Sequence, residues 1–135
     1  MANYIYNKAK QKFLEARISW ETDFIRCVLV DTSAYTFNAG HEFLSSIPPN
    51  ARIAVSPRFV NVSTEDGIAK ADPVILPNVT GNNVEAIVVY KESFNPLTAP
   101  LIVYIDDWQQ AATPIELNGI TVTISWSTLY GVFKL

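Results

Sequence analysis

The chain has 135 residues, of which 49% are hydrophobic and 17% are charged, so it is long enough to bury the core of one domain. Its 10 Lys+Arg and 13 Asp+Glu give a net charge of −3 without any basic run, which argues against nucleic-acid binding through phosphate neutralisation. The low charge and the 12% of aromatic residues favour an assembly over a freely diffusing monomer.

The N-terminal stretch "MANYIYNKAKQKF" lacks the apolar core of a signal peptide. No run approaches the roughly 18 apolar residues that a membrane span requires. We therefore expect the protein to be made and kept in a cytoplasm, with no membrane partner.

The first predicted element is an α-helix from about Tyr4 to Arg17, because no proline or glycine interrupts this segment. Its apolar residues recur with helical spacing on one face: Tyr6, Ala9, Phe13 and Ala16. We expect this face to pack on its own domain. The alternative is a helix that docks into a groove of a partner.

The pattern then changes to short extended runs. "FIRCVLVD" (24–31) predicts a central strand, and its Cys27, the only cysteine, is expected to be buried and inert. Weaker strand candidates are "RIAVS", "FVNVS" and "VILPNV", and Pro77 in the last of these indicates an edge or a bulge. We interpret "EDGIAKADP" as a turn and a connection, and "GNN" (81–83) as a further turn.

The strongest predicted strands are "VEAIVVYK" (84–91) and "LIVYIDD" (101–107), joined by the proline-rich loop "ESFNPLTAP". Asn118 and Gly119 predict a two-residue hairpin turn, since this pair tolerates positive φ. Beyond them "ITVTISW" alternates apolar and hydroxyl residues, which predicts a strand with one buried face. "GVFKL" predicts a final short strand.

Seven to nine strands without βαβ alternation predict a mainly β fold: a single antiparallel β-sandwich or jelly roll with a short N-terminal α-helix. No internal repeat, low-complexity tract or linker marks a second domain. We therefore interpret residues 1–135 as one domain, with a helical segment at 1–20 and the sandwich at 21–135.

His41 and Glu42 begin the zinc motif H-E-x-x-H, but its second histidine is replaced by Ser45, and His41 is the only histidine. We therefore predict no metal site here. Instead, we expect a turn whose apolar residues anchor it in the core: Phe43, Leu44 and Ile47.

Two adjacent carboxylates, Asp106 and Asp107, precede Trp108. Neighbouring strand residues point to opposite faces, so we interpret this pair as a solvated strand end and not as a glycosidase dyad. Three upstream acidic residues match no calcium-binding loop: Glu65, Asp66 and Asp72. No phosphate-binding loop, nucleophile elbow or Cys-x-x-Cys motif is present, so we predict no catalytic residue and no cofactor.

Five segments follow one another in a distinctive order: "YNKAKQKFLEARISW", "IRCVLVDTSAYTFNAGHEFLSSIPPNARIAVS", "DGIAKADPVILPNVTGNNVEAIVVYK", "PLIVYIDDW" and "ITVTISWSTLYGVFKL". In this order they resemble a family of small structural proteins encoded by tailed bacteriophages. The resemblance covers nearly the whole chain, although "GVFKL" departs slightly from the family's ending.

This resemblance implies a non-enzymatic virion component on the capsid surface: a capsid cement or decoration protein that clamps neighbouring subunits of the shell. The implied partners are the major capsid protein and copies of this chain, as a dimer or trimer. We nominate two contact surfaces, a terminus free to reach a neighbour and a loop stiffened by prolines. Their candidate residues are Tyr4 and Tyr6 in the first, and Phe94, Asn95, Pro96 and Leu97 in the second.

Two other classes remain open. A phage tail or baseplate component with a receptor- or glycan-binding face would use exposed aromatic residues as platforms for sugars: Trp20, Trp108, Trp126 and Tyr130. We favour core or subunit-interface packing for these rings, because aromatic residues are enriched at interfaces. A small hydrolase is the third class, and a single histidine is poor support for it.

Overall fold

The computed structural model describes residues 3–81, 84–106, 118–126 and 131–135. In these ranges the chain is mainly antiparallel β, with one short α-helix near the N-terminus. This confirms the predicted fold class, a sandwich-like β domain. The described residues contain no helix long and apolar enough to cross a membrane.

The helix and strands follow one another along the chain: β1 (Asn3–Ile5), α1 (Asn7–Leu14), β2 (Ile25–Val30), β3 (Arg52–Val55), β4 (Ser63–Glu65), β5 (Ile68–Lys70), β6 (Val74–Thr80), β7 (Ala86–Lys91), β8 (Leu101–Ile105), β9 (Asn118–Ile124) and β10 (Phe133–Lys134). Two 3-10 turns, Leu44–Ser46 and Pro49–Ala51, precede β3. The first of them confirms the turn expected after His41 and Glu42.

The largest sheet has five strands in the order β1-β8-β7-β2-β3, and all its neighbours are antiparallel. Its central strands are buried on both faces: every residue of β8 is buried, and in β7 only Lys91 is partly exposed. Strands covered on both faces need apolar residues at consecutive positions. This is why the continuous apolar runs of the sequence predicted these strands.

Two smaller ladders complete the fold, β10-β5-β4 and β6-β9. In β6 the register shifts between Leu76 and Val79, and Asn78 has a φ of 54°. Pro77 lies in this irregular stretch, which confirms the bulge expected from its missing N–H. The buried residues of the helix and of all three ladders form one hydrophobic cluster.

The helix is shorter than predicted. It spans Asn7–Leu14, whereas Tyr4 lies in β1 opposite Tyr104 of β8. At the other end Ala16 has a φ of 59°, a left-handed conformation that stops the helix. The first turn of the predicted helix is therefore a strand, because its residues pair with β8.

The segment after β3 also differs from the prediction. "FVNVS" is not a strand before Ser63, and Asn61 interrupts it with a φ of 53°. The turn expected in "EDGIAKADP" is confirmed, but residues 68–70 of the expected connection form the second strand of a hairpin of β4 and β5. Asp66 and Gly67 form its turn, with φ of 53° and 80°, so the Asp-Gly pair was the signal for a type I′ turn.

The predicted hairpin turn at Asn118 and Gly119 is wrong. Asn118 pairs with Thr80 and Ile120 pairs with Val79, so β9 continues along β6 through both residues. Gly119, with a φ of 75°, is the extra residue of a bulge. The same positive φ that suits a turn also suits this bulge, which is why the sequence pattern did not distinguish them. Two residues of the turn predicted at 81–83, Asn82 and Asn83, lie outside the described residues.

Candidate partner-binding site

The two N-terminal candidate residues have different surroundings. The Tyr4 side chain is 47% exposed and stacks on Phe37, with ring centroids 5.2 Å apart. Tyr6 is fully buried, so its nomination as a contact residue is wrong. The reason is that this segment is an edge strand and not a free arm: the Tyr6 N–H donates to the Ile102 carbonyl at 3.0 Å.

His41 takes part in a core hydrogen-bond chain. Its Nδ1 lies 2.8 Å from the Tyr35 hydroxyl, which in turn contacts the Tyr6 hydroxyl at 2.9 Å. The neighbouring Glu42 forms an ion pair with Lys12 of α1 at 2.5 Å. Leu44 and Ile47 are buried, as expected for a turn anchored in the core. Within the described ranges no group of three or more His, Cys, Asp or Glu residues is arranged to hold a metal ion.

The second candidate surface is the loop between β7 and β8, here called the 93–99 loop. Its own hydrogen bonds fix its shape, because the Asn95 side-chain oxygen accepts from the Leu97 N–H at 2.8 Å. The Ser93 and Thr98 hydroxyls close the base of the loop at 2.5 Å. These hydrogen bonds form an Asx-type turn, which restricts the backbone of the loop.

The 93–99 loop is also attached to the rest of the domain. The Ser45 N–H donates to the Pro96 carbonyl and the Leu44 N–H to the Ala99 carbonyl, both at 2.9 Å. These bonds hold the loop against the 3-10 turn at Leu44–Ser46. A loop attached in this way would lose less conformational entropy on docking than an unattached one.

Two apolar side chains of this fixed loop point into solvent. Phe94 is 106% exposed and Leu97 is 69% exposed. Burial of each against a partner would contribute about 1.5–3 kcal/mol. A rigid loop that presents large apolar groups is typical of a protein-binding surface.

A groove of about 300 Å³ lies beside the loop. Sheet residues and loop residues line it together: Arg26, Val55 and Tyr90 from the sheet, Leu44 from the 3-10 turn, Glu92 after β7, and Ser93, Phe94, Asn95, Pro96 and Ala99 from the loop. A second groove of about 320 Å³, which runs between β3 and β6, shares Arg26 and Val55 with the first. The two grooves therefore border the same short stretch of sheet.

A charge cluster lies at the edge of the first groove. Glu92 accepts from Arg58 Nη2 at 2.6 Å and from Arg26 Nε at 2.7 Å. The Arg58 guanidinium also lies 3.9 Å from the centroid of the Phe24 ring. Hydrogen bonds from Arg58, and to a smaller extent from Arg26, lower the pKa of Glu92 to about 2. This carboxylate therefore stays ionised. Two guanidiniums share one carboxylate, which leaves the cluster with one positive charge in excess.

Sequence reasoning found the 93–99 loop but missed the charge cluster. Arg26, Arg58 and Glu92 are too far apart in the chain for any local motif to connect them. The available signal was Arg26 itself, a charged residue inside an otherwise apolar run, since buried strands tolerate such a residue only when it has partners.

Two of the four aromatic residues in the glycan hypothesis, Trp20 and Trp126, lie in the described part of the chain. Trp20 is buried, and its indole N–H donates to the Lys70 carbonyl at 3.0 Å. Trp126 is partly buried and donates to the Asp72 carbonyl at 3.0 Å. Both therefore pack in the domain, and the proposal that Trp20 stacks on a sugar is wrong. Trp108, Tyr130 and the carboxylate of Asp107 lie outside the described residues.

The site thus combines an attached loop with exposed apolar side chains, a groove beside it, and two arginines that both donate to Glu92. Exposed apolar groups beside a groove with cationic donors are features typical of a protein-binding surface. No known protein family and no curated protein matches the chain.

Proposed function

We propose that the protein is a non-enzymatic structural component of a tailed bacteriophage, acting as a capsid cement or decoration protein. The observation that carries the binding role is the fixed 93–99 loop, which holds Phe94 and Leu97 in solvent. The phage context comes from the order of segments in the sequence, which resembles that of small virion proteins.

In this proposal the protein binds the assembled shell of the major capsid protein better than its free subunits. Preferential binding to one state stabilises that state by mass action. Modest contacts repeated over many copies give a large total effect, because each copy bridges neighbouring shell subunits. The protein is then made in the bacterial cytoplasm and ends on the capsid surface, where copies of the chain meet as dimers or trimers.

Sedimentation with undecorated capsids of the same phage tests this function. Saturable co-sedimentation, together with greater resistance of the capsids to heat, is the expected result. Purified tails and baseplates serve as the parallel sample. Binding to these particles, with none to capsids, would replace the head assignment with the tail alternative.

A further inference from the structure

The groove beside the 93–99 loop contains a buried polar group without a partner. The Tyr90 side chain lines this groove and is only 5% exposed. Its hydroxyl makes no hydrogen bond within the described part of the chain. Buried polar groups in native proteins are nearly always hydrogen-bonded, since an unpaired one costs free energy. The groove therefore contains a donor that a ligand can satisfy.

A second donor lies next to it. Arg26 of β2 and Tyr90 of β7 are directly opposite each other in the sheet, so their side chains share one face. Arg26 uses Nε for Glu92 and Nη1 for the Ser56 carbonyl. Its Nη2 makes no hydrogen bond within the described residues. Arg26 and Tyr90 both line the groove, so each brings to it a side chain with a donor that is unused within the described residues.

The charges around the groove favour an anion. Glu92 is the only carboxylate among the described residues that line it, and this carboxylate is shared by Arg26 and Arg58. Of the charged side chains that act on the pKa of Tyr90, Arg26 has the largest effect; Glu92 opposes it, and Arg52 adds a smaller positive contribution. Burial raises the pKa of Tyr90, so its hydroxyl stays protonated and remains a donor.

The rim of the groove is apolar and large. Phe94 and Val55 border it, with exposures of 106% and 47%, and Leu97 lies beside it on the same loop. A small free anion would leave these side chains in water. An acidic side chain with apolar neighbours, presented by a protein surface, would use both the donors and the rim.

We propose that this groove receives an aspartate or glutamate side chain, flanked by apolar residues, from the partner protein. Its carboxylate accepts hydrogen bonds from the Tyr90 hydroxyl and the Arg26 guanidinium, and its apolar neighbours pack on Phe94 and Val55. This inference deepens the proposed function and rests on it, since the partner there is the shell protein.

The first test compares Tyr90→Phe with Tyr104→Phe in capsid co-sedimentation. Tyr104 is a matched control, because it is 7% exposed, lies on the same sheet face, and makes no hydroxyl hydrogen bond within the described residues. Tyr104 does not line the groove. Tyr90→Phe should weaken capsid binding about ten- to hundredfold, the effect of losing one hydrogen bond to a charged group. Tyr104→Phe should bind like the wild type.

Phe94→Ser separates this inference from the proposed function. If it loses capsid binding while Tyr90→Phe binds normally, the carboxylate contact is wrong and the binding surface stands. Neither substitution removes a side-chain hydrogen bond that the described residues make, so the folds of both variants are expected to persist. Denaturation curves of each variant verify this.

A second test does not depend on capsids. The isotopically labelled protein is titrated with the blocked tripeptide acetyl-Leu-Glu-Leu-amide, and separately with its Gln counterpart, at millimolar concentration. The Glu peptide should shift the NMR signals of Arg26, Ser93 and Phe94, and should bind about tenfold more weakly to Tyr90→Phe. No shift, or equal shifts with both peptides, would overturn the inference. If the Glu peptide alone causes shifts but the protein does not bind capsids, the carboxylate-binding groove is supported and the capsid role is wrong.

Discussion

The hydroxyl oxygens of Tyr6 and Tyr35 lie 2.9 Å apart in the core, and the Tyr35 hydroxyl also lies 2.8 Å from His41 Nδ1. Tyr35 is therefore the central member of a chain that joins the N-terminal strand to the segment before the first 3-10 turn. Burial raises the pKa of both tyrosines, so both hydroxyls remain protonated. A central hydroxyl can accept from one neighbour while it donates to the other.

This arrangement predicts unequal effects of two similar substitutions. Tyr35→Phe removes the central hydroxyl, and with it the one hydrogen-bond partner that the Tyr6 hydroxyl and His41 Nδ1 each have among the described residues, at a cost of about 2–3 kcal/mol. Tyr6→Phe removes only the terminal member and should cost about 1 kcal/mol. Urea denaturation measures both. Equal losses would show that the chain of hydroxyls does not act as a unit.

Gly131 and Gly119 both have positive φ, of 61° and 75°, but they differ in the space around them. A Cβ on Gly131 would overlap the Ala69 carbonyl oxygen, whereas a Cβ on Gly119 would meet its nearest atom, in Thr80, at 3.9 Å. Gly119→Ala should therefore cost only the left-handed backbone penalty of about 1–2 kcal/mol. Gly131→Ala should cost about 3–5 kcal/mol, because an overlap is added. Similar denaturation midpoints for the two variants would contradict the described contact.

Cys27 is fully buried, and burial raises the pKa of its thiol to about 12. The reactive thiolate is therefore scarce and shielded in the native protein. A thiol reagent such as DTNB at pH 8 should label Cys27 slowly in buffer and completely within the mixing time in urea. Fast stoichiometric labelling of the folded protein would place this residue at the surface.

Glu92 makes stability depend on pH in a defined window. Its folded pKa of about 2 lies below the ordinary value of 4.5, so the stability from its ionised form is complete above about pH 4.5. This contribution is lost as the pH falls towards 2. Glu92→Gln should be less stable than the wild type by about 1 kcal/mol at pH 7, and the gap should shrink towards pH 2.

Denaturation curves at pH 7, 4 and 2.5 measure this gap. Glu65→Gln is the control, since the pKa of Glu65 is also lowered, but by Lys70 in the exposed β4–β5 hairpin. A gap between Glu92→Gln and the wild type that is constant over the whole range would contradict the charge cluster.

The sequence predicted those elements whose pattern is decided locally. The runs that became β2, β7 and β8 are apolar apart from Arg26 and Lys91, because both faces of these strands are largely covered, and this pattern is visible without any partner strand. The first helical turn was mispredicted, because pairing of Tyr4 with Tyr104 overrides the helical periodicity. Such pairing is a tertiary effect that no local pattern encodes.

The same distinction applies to the candidate site. The exposed tip of the 93–99 loop was predictable from its prolines and its position between two strong strands. The donors of the groove were not, because Arg26 and Tyr90 become neighbours only when β2 pairs with β7. The helical periodicity placed Tyr6 on the face expected to pack in its own domain, and its burial agrees with this. Its nomination as a free contact residue failed because the segment is attached to β8 through the Ile102 carbonyl.

The most direct measurement of the central claim is the affinity of exposed-residue variants for undecorated capsids. Phe94→Ser and Leu97→Ser change the tip of the 93–99 loop, and Leu14→Ser is the matched control, since Leu14 is 89% exposed at the end of α1. Exposed positions contribute little to folding, so all three variants should keep their stability within about 0.5 kcal/mol. We predict that both loop variants lose at least tenfold in capsid affinity, the scale of an interface hot spot, while Leu14→Ser binds like the wild type. Wild-type affinity in both loop variants, or no capsid binding by the wild-type protein itself, would contradict the account.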